Sequence, residues 1–189
     1  MSLHSSPNSA ACSTIYACTF SARRTLPQNH VLLPQQCWKS KSCDMRRLTS
    51  NPAITFDFIG APTGLGIPVL EVTARGDGVA FARALVGGQD RVLVGQDKIM
   101  FRVMWPGYEG NSWNRSIPIN GGITRGQLAF QISKLIVHFM ETMSREAVSP
   151  DQRQWKIGRG GVGAEYVQLV SLYNSNANCF QAEIHLKRC

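Results

Sequence analysis

Apolar and polar residues alternate regularly only after residue 51. Between Ile54 and Gly60 large apolar side chains occupy every second position, which is the period of a strand with one buried face. The apolar run IPVLEVTA, which starts at Ile67, predicts a second strand. The segment KIMFRVMW, residues 98–105, carries an apolar residue at every odd position from 99 and predicts a third. This part of the chain therefore predicts a sheet.

One long helix is predicted over about residues 124–146. Thr124 and Gln127 have the spacing of a capping box, in which the Thr hydroxyl accepts from the third amide and the Gln side chain accepts from the cap amide. The apolar residues that follow share one helix face, and they are Leu128, Ile132, Leu135, Ile136, Phe139 and Met143. The helix is expected to end before Ser149 and Pro150.

Two further strands are predicted near the end of the chain, over residues 166–173 and 180–187. In the latter, the even-numbered residues are apolar and should face the core. The odd-numbered residues Gln181, Glu183, His185 and Lys187 should face water. Strands on both sides of one long helix predict an α+β fold, with a mainly antiparallel sheet packed against that helix.

The positive charge is concentrated in the first 50 residues. The chain of 189 residues has a net charge of +8, and five of those charges belong to residues 1–50, a Ser-rich segment with no helix or strand period. We therefore expect a disordered tail over residues 1–50 and a single domain over residues 51–189. We expect the tail to be a dispensable extension of a cytoplasmic protein, with organelle targeting by the tail as the alternative.

Several classes of partner are not favoured. No apolar run approaches the roughly 18 residues of a membrane span. The +3 that remains on residues 51–189 is too diffuse for a nucleic-acid surface. Two cysteine pairs have five intervening residues, a wider gap than paired zinc ligands usually have. Neither a metal nor a cofactor is predicted.

The segment GRGGVG, Gly158–Gly163, has the glycine spacing of a dinucleotide-binding loop. That motif needs a strand before it and a helix after it, whereas the residues that follow read as a strand. A glycine-rich turn is the better interpretation. Arg159 and accessible backbone amides would still make this turn attractive to an anion.

The most suggestive stretch for binding is residues 105–115. It gathers Trp105, Tyr108 and Trp113 beside Arg115, although aromatic residues make up only 8% of the chain. Aromatic faces flanked by Arg stack on sugars, bases or peptide side chains. These four residues are the candidate ligand-binding residues, and we expect the three rings to be exposed together. This stretch therefore predicts a non-enzymatic binding module for an unknown protein, peptide or glycan.

The alternative is an enzyme whose site is assembled from distant residues. No nucleophile elbow, metalloprotease motif or paired-carboxylate motif is present, so no catalytic residue is assigned. Such a site would use His138, an acid such as Glu109 and the Gly158–Gly163 loop. It requires a histidine and a carboxylate within hydrogen-bonding reach in one pocket.

The second half of the chain also carries a resemblance. Through RVMWPGYE, ITRGQLAFQISKLI, WKIGRGG and YVQLVSLY, residues 98–186 resemble small uncharacterised proteins of mushroom-forming fungi. The resemblance implies no activity, cofactor or catalytic residue, and residues 1–50 lie outside it.

Overall fold

The computed structural model describes residues 26–38, 52–76, 78–111 and 113–188. The strands within these residues are β1 (His30–Leu32), β2 (Ile54–Thr55), β3 (Ile67–Pro68), β4 (Arg91–Val92), β5 (Lys98–Arg102), β6 (Asn114–Pro118), β7 (Ile123–Thr124), β8 (Val167–Asn176) and β9 (Cys179–Lys187). The α-helices are α1 (Val69–Ala74), α2 (Gly78–Ala82) and α3 (Arg125–Met143). Short 3-10 helices cover Glu109–Asn111, Pro150–Trp155 and Ala164–Tyr166.

The main sheet is built around the β8–β9 hairpin. Its strand order is β2-β8-β9-β5-β6, with β3 also pairing β8 and β1 also pairing β9. Every described pair of strands in it is antiparallel except β5 with β9, which run parallel. The strands β4 and β7 form a separate antiparallel pair. The predicted α+β class, with a mostly antiparallel sheet and one long helix, is confirmed.

The helix α3 forms as predicted because its first turn is capped. The Thr124 hydroxyl accepts from the Gln127 amide at 3.2 Å, and the Gln127 side chain accepts from the Thr124 amide at 3.1 Å. Its buried face, which includes Ile132 and Phe139, belongs to the same apolar core as the inner faces of β8 and β9. Among the described residues, no helix is long and apolar enough to cross a bilayer.

Most of the strand predicted from Ile67 to Ala74 is a helix. Only Ile67 and Pro68 pair with β8, and Val69–Ala74 is α1. Val69 and Val72 are both buried, and their separation of three residues places them on one face of a helical turn, whereas an alternating strand would place them on opposite faces. The run is apolar enough to fit either element, so its composition alone pointed to the wrong one.

The strand predicted at Ile54–Gly60 is shorter than expected. Pairing with β8 involves Ile54 and Thr55, and Phe58 makes one isolated bridge to Leu85. The intervening Asp57 is buried because its Oδ1 accepts from the amides of Gly64 and Gly66 at 2.9 and 3.2 Å. The carboxylate thus closes the loop that runs from Asp57 to Gly66, while the Asp57 carbonyl accepts from the Val86 amide.

Residues 26–38 were assigned to the predicted disordered tail, but they are part of the folded structure. The strand β1 pairs with the end of β9, and Leu33 lies in the core. Gln35 bridges the point where β5 leaves β9, since its Nε2 donates to the Ala182 carbonyl at 2.6 Å and its Oε1 accepts from the Met104 amide at 3.2 Å. The rest of the predicted tail, residues 1–25 and 39–50, lies outside the described residues.

The burial of the outer face of β9 is the second difference from the prediction. Phe180, Ala182, Ile184 and Leu186 face the core as predicted. Gln181, Glu183 and His185 were expected to face water, but they are only 0%, 9% and 3% exposed, and Lys187 alone is exposed. Gln181 holds the segment after Leu33 against this face, because it accepts from the Trp38 amide and donates to the Gln36 carbonyl. Both faces of the strand are therefore buried.

Candidate ligand-binding cleft

The three aromatic residues predicted to bind a ligand are buried. Trp105, Tyr108 and Trp113 are 0%, 4% and 6% exposed, so the expectation that the rings form an exposed patch is wrong. Trp105 continues the inward period of β5 and lies 6.1 Å from the ring of Phe139 on α3. Trp113 packs edge-on against the same Phe139 ring at 5.3 Å. Packing against the long helix takes these rings away from solvent.

Arg115 is the exposed member of the predicted set. It lies on β6 with its guanidinium 4.8 Å from the centre of the Trp113 ring, and its Nη1 donates to the Asn114 carbonyl. The cation therefore covers the outer side of a core residue. It does not line the cleft described below.

The buried aromatics anchor a neighbouring segment. The Trp105 indole Nε1 donates to the Trp155 carbonyl at 2.8 Å, and the Tyr108 hydroxyl accepts from the Ile157 amide at 3.0 Å. Gly107, between them, has a φ of +84°, and a Cβ there would lie 2.5 Å from a methyl carbon of Val148. The aromatic stretch, residues 105–115, is thus in direct contact with the residues that lead into the glycine loop.

The glycine loop at 158–163 is closed by its own backbone. The Gly158 amide donates to the Val162 carbonyl, and the Val162 amide donates to the Lys156 carbonyl. Gly158 has a φ of +92°, which favours glycine. The loop is followed by the 3-10 turn Ala164–Tyr166 and then by β8, so it does not open a helix. The interpretation as a turn, and not a dinucleotide site, holds.

A cleft of about 370 Å³ lies where this loop meets the ends of β1 and β9. Trp155 and Tyr166, both half-buried, contribute aromatic surface to its wall. Val31, Val162 and Leu186 contribute aliphatic surface. The volume is within the range of small-molecule sites, which are mostly apolar with a few polar groups.

The polar groups of the cleft are mainly basic. Among its described lining residues, Lys187 and Arg188 are cationic and none is acidic, and Gln154 supplies an amide. Neither cation has a carboxylate partner within the part of the chain that the structure describes. Nearby Asp151 lies outside the lining, and its pKa is held below the ordinary value by a hydrogen bond from the Ser149 side chain and by its own backbone amide.

The residues of the enzyme alternative are not brought together. His138 is exposed on α3 with its ring 6.4 Å from the Trp113 ring, and no bond joins its ring to a carboxylate of the described residues. Glu109 instead accepts from the Gly107 amide within its own turn. The requirement of a histidine and a carboxylate in one pocket is not met at His138.

A histidine and a carboxylate do meet elsewhere, on the outer face of β8 and β9. Glu183 Oε1 lies 3.2 Å from His185 Nε2, and Glu183 Oε2 accepts from the Ser171 hydroxyl at 2.8 Å. In a nucleophilic triad the imidazole must contact the hydroxyl. Here the carboxylate lies between the two, so His185 cannot deprotonate Ser171. This buried cluster binds the two strands together.

The thiol of Cys179 is buried at the start of β9. Burial raises the pKa of the Cys179 thiol, although Arg102 partly opposes the shift, so the thiol is protonated at neutral pH. No three His, Cys, Asp or Glu residues of the described ranges are grouped to hold a metal ion.

Comparison with known proteins adds no relative: no protein-family model, curated protein or solved structure matches this chain. The cleft residues Trp155, Tyr166, Lys187 and Arg188 were not predicted as a site. Two local signals point towards them, namely the anion-attracting glycine turn and two consecutive bases, one at the end of the last predicted strand and one directly after it. No local signal indicated that these segments meet.

Proposed function

We propose that this protein is a non-enzymatic binding module, and that its ligand site is the cleft between the glycine loop and the ends of β1 and β9. The observation that carries the proposal is the composition of the cleft, in which two half-buried aromatic residues and three aliphatic residues adjoin two cations that have no described ion-pair partner. Concave apolar walls with a few polar groups are the usual form of a ligand site.

The residues first singled out for binding have a supporting role in this proposal. Trp105 and Tyr108 hold the backbone of Trp155 and Ile157, which leads into the loop that borders the cleft. A site on a wall that is hydrogen-bonded to the core loses little conformational freedom when a ligand binds. The aromatic stretch thus positions the cleft without contacting the ligand.

Binding can be tested by ¹⁹F NMR of protein labelled with 5-fluorotryptophan. The chain has four tryptophans, of which Trp155 lines the cleft and Trp113 is buried away from it. The probes share one ring and differ in charge: 2-naphthoate, 2-naphthamide and 2-naphthylmethylammonium. We expect at least one probe to shift the Trp155 resonance with saturation at millimolar concentration, and to leave Trp113 unshifted.

A variant with a matched control assigns that shift to the cleft. Val162→Phe should fill the cleft and abolish the shift, whereas Val94→Phe, at a position that is 70% exposed and outside the lining, should not. Trp105→Phe removes the bond to Trp155 and should weaken probe binding. Trp113→Phe makes the same substitution at an indole whose Nε1 has no described partner, and it should leave probe binding unchanged. If no probe shifts Trp155, or if Val162→Phe binds like wild type, the proposal fails.

A further inference from the structure

We infer that the ligand of this cleft is a small organic anion, with a carboxylate or phosphate on a compact aromatic or apolar body. The inference rests on the proposed function, since it names the class of molecule that the same site would take. It is argued from the sign of the charge at one end of the cleft, the chemistry of its walls and its volume.

Among the described lining residues of the cleft, every charged side chain is a base, and the acids Asp151 and Glu165 lie outside the lining. Lys187 and Arg188 follow each other at the end of β9, and both line the cleft with exposed side chains. Arg159 and Lys156, in and beside the glycine loop, are also exposed bases without a described carboxylate partner. A Lys ammonium and an Arg guanidinium in one cleft, with no ion-pair partner among the described residues, suit the oxygens of a carboxylate or a phosphate. A cationic ligand would be repelled by the same groups.

The chemistry of the cleft walls and the cleft volume indicate what the uncharged part of the ligand is. Trp155 and Tyr166 offer ring surfaces, and Val31, Val162 and Leu186 offer aliphatic surface. These groups gain most from covering an apolar or planar body. A cleft of about 370 Å³ is near the small end of the range for ligand pockets, so it fits a single small molecule.

The test compares the affinities of the three naphthalene probes, because they share one ring system and differ mainly in the charge of the substituent. We expect 2-naphthoate to bind roughly three- to tenfold more tightly than 2-naphthamide, since two solvent-exposed cations contribute modestly. The ammonium probe should bind most weakly. The preference for the anion should shrink as salt is raised from about 20 to 500 mM. 2-Naphthyl phosphate distinguishes a phosphate from a carboxylate preference, and inorganic phosphate alone should compete only weakly.

The variant that tests the charge is the double substitution Lys187→Gln and Arg188→Gln. It should remove the difference between 2-naphthoate and 2-naphthamide while leaving the affinity for 2-naphthamide unchanged. The matched control, Lys98→Gln with Arg83→Gln, removes two exposed charges outside the cleft lining and should keep the preference.

The two proposals fail in different ways. If all probes bind the cleft equally, or if the Lys187 and Arg188 variant keeps the preference, the anion inference is wrong and the binding module stands. If no probe reaches the cleft, the proposed function itself fails. If 2-naphthoate and 2-naphthyl phosphate both bind more tightly than the neutral probe, the preference for an anion is supported. The tighter-binding of the two then shows whether the ligand carries a carboxylate or a phosphate.

Discussion

The two faces of β9 differ in chemistry but hardly at all in burial. On the inner face, Ile184 and its even-numbered neighbours belong to the apolar core that includes α3. On the outer face, Gln181, Glu183 and His185 are nearly as inaccessible, and each has a hydrogen-bonding partner, although Nδ1 of His185 is buried with none among the described residues. Apolar burial is non-directional and depends on area, whereas a buried polar group is tolerated only with correctly placed partners. The stability contributed by the outer face therefore depends on the geometry of its hydrogen bonds, and that contributed by the inner face depends on the apolar volume that it buries.

The largest effect is expected on the inner face. Ile184 is fully buried, and Ile184→Ala removes apolar contacts and leaves a cavity, so we expect the free energy of unfolding to fall by about 2–5 kcal/mol. Urea denaturation followed by circular dichroism measures the loss. Val94→Ala, at a position that is 70% exposed, is the control and should change stability by less than about 0.5 kcal/mol. Equal losses in the two variants would contradict the described core.

The outer face should respond to a change that barely alters volume. Glu183→Gln replaces one acceptor oxygen by a donor NH₂ group, so either Ser171 or His185 loses its acceptor. We expect a loss of about 1–3 kcal/mol, again by urea denaturation. Glu146→Gln makes the same substitution at an exposed position. If the two variants were equally stable, the Ser171–Glu183–His185 cluster would have no role in joining β8 to β9.

The smallest effect is expected where the outer face holds the segment that follows Leu33. Gln181→Ala removes the acceptor of the Trp38 amide and the donor to the Gln36 carbonyl, for an expected loss of about 1–2 kcal/mol. Hydrogen exchange should then be faster at the Trp38 amide and unchanged in the middle of α3. Gln131→Ala, exposed on α3, is the matched control. Unchanged exchange at Trp38 would show that Gln181 does not fix this segment.

Predictions from sequence succeeded where the signal was local. The capping pair Thr124 and Gln127 and the apolar stripe of α3 lie within one helix, and the alternation that identified β9 lies within one strand. An alternating pattern states which side chains share a face, but it cannot state whether another segment covers that face. For this reason the direction of Glu183 and His185 was predicted correctly, and their burial was not.

The candidate site was harder to predict because its parts are distant in sequence. Val31, Trp155 and Arg188 reach one cleft only after β1 has paired with β9 and the glycine loop has closed. The three residues of β1 carry too little pattern to be recognised as a strand. Likewise, a cluster of aromatic residues predicts a ligand site and a core equally well, and only the position of Phe139 on α3 decides between them for Trp105 and Trp113.

The parallel contact of β5 with β9 has a consequence for biosynthesis. The strand β9 lies in the middle of its sheet, yet the ribosome makes it after every other described strand of that sheet. Gln35 and its partner Ala182 are 147 residues apart, so at about 5–20 residues per second the earlier segment waits roughly 7–30 s for its partner. Until then the edge of β5 that will pair with β9 is unpaired and open to other chains, whereas β8 is made immediately before β9. The nascent chain therefore passes through an aggregation-prone interval that ends when its central strand emerges.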